Sequence, residues 1–147
     1  MPEYFELTVD KFTFQVARDR WYSAEGVWAQ EDGGLVRVGL SDFVQQRSGD
    51  VAFAEVKPAG ELLSAGDELA VIETIKVNIA LGAPLSGRVQ AANPEMALAP
   101  ELINQDPYGA GWLALIEPAD WAADRARLLD AAAYYARIQV EARQERS

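Results

Sequence analysis

Between residues 12 and 117 the chain breaks into short segments rich in β-branched and aromatic residues, and turn signals separate them. Phe12, Phe14 and Val16 alternate with polar residues, which is the period of a half-buried strand. A glycine pair at residues 33–34 separates two further apolar segments and indicates a hairpin turn. Many short strands joined by turns favour antiparallel sheets packed face to face. We therefore predict a mainly β fold, a small β-sandwich.

Two segments have helical features instead. Residues 41–46 (SDFVQQ) begin with a serine suited to cap a helix, and Gly49 lies just past the end. From residue 118 onward apolar residues fall at helical spacing; they are Leu128, Leu129, Ala132, Tyr135 and Ile138. We expect an amphipathic C-terminal helix packed on the sandwich. The chain then divides into an N-terminal extension (1–20), a β domain (21–117) and a C-terminal helical region (118–147).

The chain contains no cysteine and no histidine. This composition excludes disulfides, thiol redox chemistry, zinc sites of the Cys/His kind and nucleophilic catalysis that needs an imidazole base. The net charge of −10 would repel nucleic acid and anionic membranes, so we expect neither as a partner. An acidic N-terminus differs from a secretory signal and predicts a cytoplasmic protein. We predict no catalytic or metal-ligating residue. If the protein takes part in catalysis, another molecule has to supply the reactive group.

Lys76 is the most unusual residue of the sequence, because it stands in a long apolar stretch from residue 69 to 81. Burying its ammonium group without a partner would cost several kcal/mol. A cheaper arrangement places Lys76 at the exposed tip of a hairpin, with Thr74 or Asn78 near the bend. Such a lysine suits enzymatic modification or a swinging arm. The alternative is an edge-strand lysine that discourages pairing between sheets.

Two other patterns are weaker. Residues 109–114 (GAGWLA) fit the G-x-G-x-x-A form of a dinucleotide-binding loop. That loop follows a strand and begins a helix, whereas these residues follow a proline turn and begin a β-rich segment. The carboxylates of Glu61, Asp67, Glu68 and Glu73 have no spacing that forces them together. They predict a solvated acidic face.

Several segments together resemble the glycine-cleavage H-protein family. Residues 72–76 (IETIK) resemble its E-[ST]-x-K lipoylation site, and residues 84–89 (PLSGRV) resemble the strand that follows. Residues 100–113 (PELINQDPYGAGWL) are close to the family's P-E-L-[VI]-N-x-D-P-Y-G-x-G-W-L segment. Residues 38–43 (VGLSDF) and 48–51 (SGDV) are similar to its earlier V-G-I and G-D signatures. The order and spacing hold over about residues 20–135.

The resemblance implies a β-sandwich of the biotinyl/lipoyl-carrier type (the barrel-sandwich hybrid), with residues 21–117 as the carrier domain. It also implies that lipoate is attached to Lys76 through an amide bond. The arm would shuttle a sulfur-bound intermediate between partner enzymes, and the protein itself would be a non-catalytic carrier. A lipoate–protein ligase or lipoyl transferase would recognise the hairpin through residues beside the lysine, namely Glu73, Thr74, Ile75 and Val77.

The sequence departs from the family beside the lysine, where residues 77–80 (VNIA) replace a small and acidic stretch. Residues 25–28 (EGVW) keep a tryptophan but lack the family's preceding histidine. These departures favour an H-protein-like lipoate-binding protein of cytoplasmic sulfur oxidation, which works with a heterodisulfide-reductase-like complex. The alternative is the H-protein of glycine cleavage, which carries an aminomethyl group among the glycine cleavage enzymes and dihydrolipoyl dehydrogenase. A third alternative, of another class, is an unmodified binding or scaffold module.

Overall fold

The structure, a computed structural model, describes residues 3–146; Met1, Pro2 and Ser147, which belong to the terminal segments expected above, lie outside the described residues. Its strands are β1 (Tyr4–Val9), β2 (Phe12–Ala17), β3 (Trp21–Tyr22), β4 (Val27–Asp32), β5 (Leu35–Leu40), β6 (Val51–Val56), β7 (Leu62–Leu63), β8 (Glu68–Thr74), β9 (Asn78–Gly82), β10 (Gly87–Ala92) and β11 (Ala114–Pro118). Its helices are α1 (Asp42–Ser48), α2 (Glu95–Leu98), α3 (Leu102–Gln105), α4 (Trp121–Arg125) and α5 (Ala131–Arg146).

Two antiparallel sheets enclose the main core. One sheet has the strand order β3-β4-β5-β11-β10-β7, and the other has the order β6-β8-β9. Val38 and Ile116 from the first sheet and Leu69 and Ile72 from the second lie in one cluster of buried side chains. The alternation of apolar residues places one face of each sheet against the other. The predicted fold, a mainly β sandwich with a C-terminal helix, is confirmed.

Helix α1 forms where the sequence predicts it. Ser41 precedes the helix and its side chain accepts a hydrogen bond from the backbone N–H of Val44, so it acts as the N-cap. Gly49 ends the helix with a φ of 88°, a left-handed conformation that glycine adopts without steric cost. Phe43 anchors the helix, because its side chain is almost completely buried.

The N-terminal segment forms a hairpin of its own. Strands β1 and β2 pair antiparallel from Tyr4↔Ala17 to Val9↔Phe12, and a two-residue turn at Asp10 and Lys11 joins them. This hairpin packs on α5 in a second core. The buried members of that core include Phe14, Val16, Tyr22, Trp28, Phe43, Tyr134 and Ile138.

The C-terminal region differs from the single helix expected from periodicity. It contains two helices, and α5 starts only at Ala131, because the Asp130 side chain accepts a hydrogen bond from the N–H of Ala133 in the first turn. The preceding Leu129 pairs with Tyr22 in an isolated β-bridge. The buried residues of α5 include Ala131, Tyr134, Ile138 and Ala142. Of the predicted residues, Ile138 is buried, Leu128, Leu129 and Tyr135 are partly buried against the two cores, and only Ala132 is exposed. No helix among residues 3–146 is long and apolar enough to span a membrane.

Candidate functional site

Lys76 lies at the tip of the hairpin that joins β8 to β9. The last paired residues of the two strands are Glu73 and Asn78, and the four residues between them form the bend. The Lys76 side chain is exposed to solvent. The strands are well defined because β-branched residues favour extended structure and because Ile72 is buried in the main core. The sequence-based placement of Lys76 at an exposed bend is therefore correct.

The hydroxyl group of Thr74 organises this bend. Its Oγ1 accepts hydrogen bonds from the backbone N–H of Lys76 at 3.2 Å and from that of Val77 at 3.0 Å, and it donates to the carbonyl of Val77 at 3.0 Å. The Thr74 N–H also donates to the Val77 carbonyl at 2.8 Å. One side chain thus provides hydrogen-bond partners for three polar backbone groups of the bend.

The Lys76 side chain rests on the C-terminal end of α1. Its Nζ donates to the backbone carbonyl of Arg47 at 3.5 Å. A Cβ built on Gly49 would lie 3.5 Å from the Lys76 Cδ, so the aliphatic stem passes over the bare glycine backbone. The last carbonyl groups of a helix lack partners within it and carry partial negative charge, which attracts an ammonium group. This contact was not predicted from the sequence, which indicated a lysine that projects into water.

The other hairpin residues singled out from the sequence surround the lysine. Ile75 is 75% exposed and Val77 is 48% exposed, although both side chains are large and apolar. The N–H of Ile75 donates to the carbonyl of Asp50 at 3.2 Å and fixes the bend to the loop after α1. Glu73 is exposed on the same hairpin. The tip thus presents one amine between two apolar side chains.

A cleft of about 800 Å³ opens beside the lysine. Lys76, Val77 and Ile79 line one side, and α1 contributes Val44. The remaining lining residues are Val9, Asp10, Phe12, Phe14, Ala24, Glu25, Gln46, Arg47, Ser48, Tyr134, Glu141 and Ala142. The cleft therefore joins five segments that are far apart in sequence, which explains why periodicity and motifs did not predict it.

Arg47 and Tyr134, two of the polar residues that line the cleft, have partners on other elements. Arg47 Nη1 lies 3.4 Å from Glu141 Oε2, an ion pair that connects α1 to α5. Tyr134 Oη lies 2.8 Å from the Ser41 hydroxyl, and burial raises the pKa of Tyr134 above its ordinary value. The Tyr134 phenol therefore stays neutral near pH 7. The remaining lining residues are both apolar, such as Val9, Phe12 and Val44, and polar, such as Glu25 and Gln46.

The weaker sequence candidates do not form sites. Gly109 and Gly111 belong to a turn that leads into strand β11, so residues 109–114 are no dinucleotide loop. Glu61, Glu68 and Glu73 are exposed, and no group of three or more potential metal-ligating side chains occurs among the described residues.

Comparison with known proteins shows the family of the chain. The sequence profile of the family described as "Glycine cleavage H-protein" matches residues 20–141. The chain belongs to this family. It is 40% identical over 125 residues to the "Glycine cleavage system H protein" of Anaeromyxobacter sp. (strain K), which covers 85% of this chain and 97% of that protein. The protein of the same name from Thermus thermophilus is 36% identical over 127 residues, with coverage of 86% and 98%.

A solved structure of the H-protein family has the same fold. The crystal structure of a glycine cleavage system H protein from Mycobacterium marinum matches with a TM-score of 0.77 at 32% sequence identity, and the match covers 84% of this chain and 99% of that one. The family match begins at residue 20. Strands β1 and β2, which line part of the cleft, therefore precede the H-protein region.

Proposed function

We propose that this chain is the H-protein of a glycine cleavage system, a non-catalytic carrier with lipoate attached to Lys76. The observation that carries the proposal is an exposed amine held at a rigid bend beside a cleft. The names of the curated relatives support glycine cleavage as the pathway. This pathway was the alternative in the sequence analysis, and the relatives favour it over sulfur oxidation.

The residues present fit a lipoyl group. An acyl group can reach the Lys76 nitrogen because the side chain is exposed, and amide formation would replace its contact with the Arg47 carbonyl. The cleft offers apolar surface from Val44, Val77 and Ile79 next to the attachment point. When bound, lipoate supplies a dithiolane that carries groups on sulfur and alternates between disulfide and dithiol. The protein contributes a fixed attachment point and shelter.

The residues that flank Lys76 would serve recognition. Thr74 fixes the backbone of the bend, and the exposed Ile75 and Val77 offer apolar contacts to a lipoate–protein ligase or lipoyl transferase. Glu73 would orient the hairpin through its charge, and we expect Glu73→Gln to slow modification. Equal rates of lipoylation for wild type and Glu73→Gln would contradict this role.

Glycine cleavage implies a set of protein partners. We propose that the arm visits the glycine decarboxylase, the aminomethyltransferase and dihydrolipoyl dehydrogenase in the cytoplasm. The net charge of −10 would steer this carrier towards basic surfaces on those enzymes.

A second candidate is the carrier of sulfur oxidation that works with a heterodisulfide-reductase-like complex. Two observations favour it: the apolar Val77 and Ile79 follow the lysine where the family has small and acidic residues, and the hairpin β1–β2 precedes the family region. Both features lie where a partner enzyme would contact the arm. The names of the curated relatives support glycine cleavage instead, so this candidate comes second.

The attachment site is tested by intact mass. We expect the protein purified from lipoate-replete native cells to carry the mass of one lipoyl group, and we expect Lys76→Arg to lose it while keeping the circular dichroism spectrum of the wild type. Lys11→Arg is a matched control, because Lys11 is also exposed at a hairpin turn. An unmodified Lys76 in such cells would contradict the proposal and support the unmodified scaffold.

The pathway is tested with the same lipoylated protein. We expect it to support glycine-dependent NADH formation when combined with the glycine decarboxylase, aminomethyltransferase and dihydrolipoyl dehydrogenase of its host. Lipoylated protein that is inactive there but active with a heterodisulfide-reductase-like complex would assign it to sulfur oxidation. Neighbouring genes for either set of enzymes provide an independent check.

A further inference from the structure

The hairpin β1–β2 contributes a wall to the cleft beside Lys76. Val9, Phe12 and Phe14 line this cleft together with Lys76, although the hairpin precedes the family region that begins at residue 20. The match to the Anaeromyxobacter protein covers 97% of that protein but only 85% of this chain. The hairpin that forms this wall therefore lies outside the H-protein region of the chain.

Phe12 lies on the inner face of the hairpin. In a strand, residues two apart share a face, so Phe12 lies on the same side as Phe14 and Val16, which are buried in the second core. Phe12 is the first residue of β2 and lies next to the turn, so its side chain lies at the margin of that core. It is therefore 55% exposed and faces the cleft. Covering such a ring with an apolar group is favourable.

The hairpin is held firmly enough to serve as a wall. The N–H of Gln15 donates to Asp42 Oδ2 at 2.9 Å, and the carbonyl of Gln15 accepts from the hydroxyl of Tyr108 at 2.7 Å. The Tyr135 hydroxyl donates to the carbonyl of Glu6 at 2.8 Å. These bonds connect both strands to α1, α5 and the segment that precedes β11. The body of the hairpin is thus attached to the elements that surround the cleft.

Acylation of Lys76 would change what occupies the cleft. The free ammonium group rests on the Arg47 carbonyl, but an amide has no positive charge to keep it there. The attached chain would be apolar, and the apolar side chains that line the cleft with Lys76 include Val77, Ile79, Phe12 and Val9.

We infer that the N-terminal hairpin forms part of the resting site of the lipoyl arm, with Phe12 covering it. The inference rests on the proposed attachment of lipoate to Lys76. In the resting state the arm lies between the β8–β9 hairpin and Phe12, and a partner enzyme has to withdraw it before transfer. The hairpin thereby limits access of small solutes to the sulfur atoms.

The first experiment measures access to the reduced arm. Lipoylated protein, verified by intact mass, is reduced and its dithiol is alkylated with iodoacetamide. We expect slower alkylation than for free dihydrolipoamide, and a several-fold rise in rate for Phe12→Ala. Phe53→Ala is the matched control, because Phe53 is 51% exposed on β6 and does not line the cleft. Equal rates for wild type and Phe12→Ala would overturn the inference.

A second experiment does not depend on lipoylation. The chain has no cysteine, so Lys76→Cys provides one thiol for a polarity-sensitive fluorophore on an alkyl linker. We expect blue-shifted emission that is lost when Phe12→Ala is added and kept when Phe53→Ala is added. Emission like that of the free dye in all three proteins would overturn the inference. A native protein without lipoate would instead contradict the attachment proposal, so the two failures are distinguishable.

Discussion

At the scale of single residues, the position of Lys76 depends on one neighbouring hydroxyl group. Thr74 Oγ1 accepts from two backbone N–H groups of the bend and donates to one carbonyl. No glycine stands between Glu73 and Asn78, so the bend has no residue that adopts unusual backbone angles without cost. The Thr74 side chain supplies the local bonds that hold it.

We expect Thr74→Val to loosen the bend without unfolding the protein. Valine keeps the β-branched shape but removes the hydroxyl, so the amides of Lys76 and Val77 lose their partner. Since both amides are near solvent, the loss of stability should be at most about 1 kcal/mol. Hydrogen exchange at the Lys76 and Val77 amides should become faster, and modification by a lipoate–protein ligase should slow several-fold.

A matched control for this change is Thr13→Val. Thr13 also carries an exposed hydroxyl in a hairpin, where its Oγ1 lies 3.0 Å from that of Thr8. We expect this variant to leave exchange at Lys76 unchanged. Unaltered exchange at the Lys76 and Val77 amides of Thr74→Val would show that the hydroxyl does not hold the bend.

The sequence allowed the exposed bend to be predicted but not the resting place of the lysine. Burying an unpaired ammonium group is unfavourable, so a lysine within an apolar stretch is expected where the chain is exposed. The hairpin tip was predicted for this reason. The contact with Arg47 and Gly49 joins residues that lie more than 25 positions from Lys76 in sequence. Only the packing of α1 against the hairpin brings them together.

At the scale of secondary-structure elements, Asn104 on α3 fixes the end of α1 beneath Lys76. Its Oδ1 accepts from the N–H of Val51 at 2.9 Å. Its Nδ2 donates to Gln45 Oε1 at 2.9 Å and to the carbonyl of Gly49 at 3.1 Å. One amide therefore joins α3, α1 and β6, and it uses both its donor and its acceptor groups to do so.

We expect Asn104→Asp to destabilise the protein by about 2 kcal/mol, because a carboxylate cannot donate and would face the oxygens of Gln45 and Gly49. Thermal unfolding measures this loss. Asn78→Asp adds the same charge at an exposed position and should change the stability little. An unfolding temperature for Asn104→Asp equal to that of Asn78→Asp would contradict this role.

The sequence revealed helix α1 and the strands of the sandwich more readily than the terminal elements. Helix α1 has a serine cap and a terminal glycine, which are local signals. Strand β1 has no such signal, and its pairing with β2 becomes visible only in the structure. In the C-terminal region the apolar spacing was continued through Leu128 and Leu129, but Asp130 restarts the helix and shifts its buried face.

At the scale of the whole molecule, the cleft lies where the two cores meet. Phe14 and Tyr134 belong to the second core, and Ile79 packs against the main sandwich. All three line the cleft beside Lys76. Any change that opens the second core should therefore disturb the cleft, while the hairpin of Lys76 stays attached to the sandwich. The stability of the second core is thus a property of the candidate site as well as of the fold.

The second core contains ionisable groups that make this stability depend on pH. The rings of Tyr22 and Tyr134 stack with their centroids 4.4 Å apart, and both hydroxyls are buried in hydrogen bonds. Burial raises the pKa of Tyr22 and of Tyr134 above the ordinary value, and it raises the pKa of Tyr108 to about 12. Each phenol therefore stays neutral in the folded protein at a pH where it ionises in the unfolded chain.

We expect the free energy of unfolding contributed by these tyrosines to be complete below pH about 10 and to fall as the pH rises from there towards 12, because the unfolded chain loses its phenolic protons first. Each buried phenol should contribute a slope of about 1.4 kcal/mol per pH unit in that range. Urea unfolding at several alkaline pH values measures the slope. Tyr134→Phe removes one such group, so it should reduce the slope by about that amount, even though loss of the bond to Ser41 lowers the stability at pH 7. A slope unchanged by Tyr134→Phe would mean that this phenol ionises within the folded protein, and that the second core is open to water on the side where it lines the cleft.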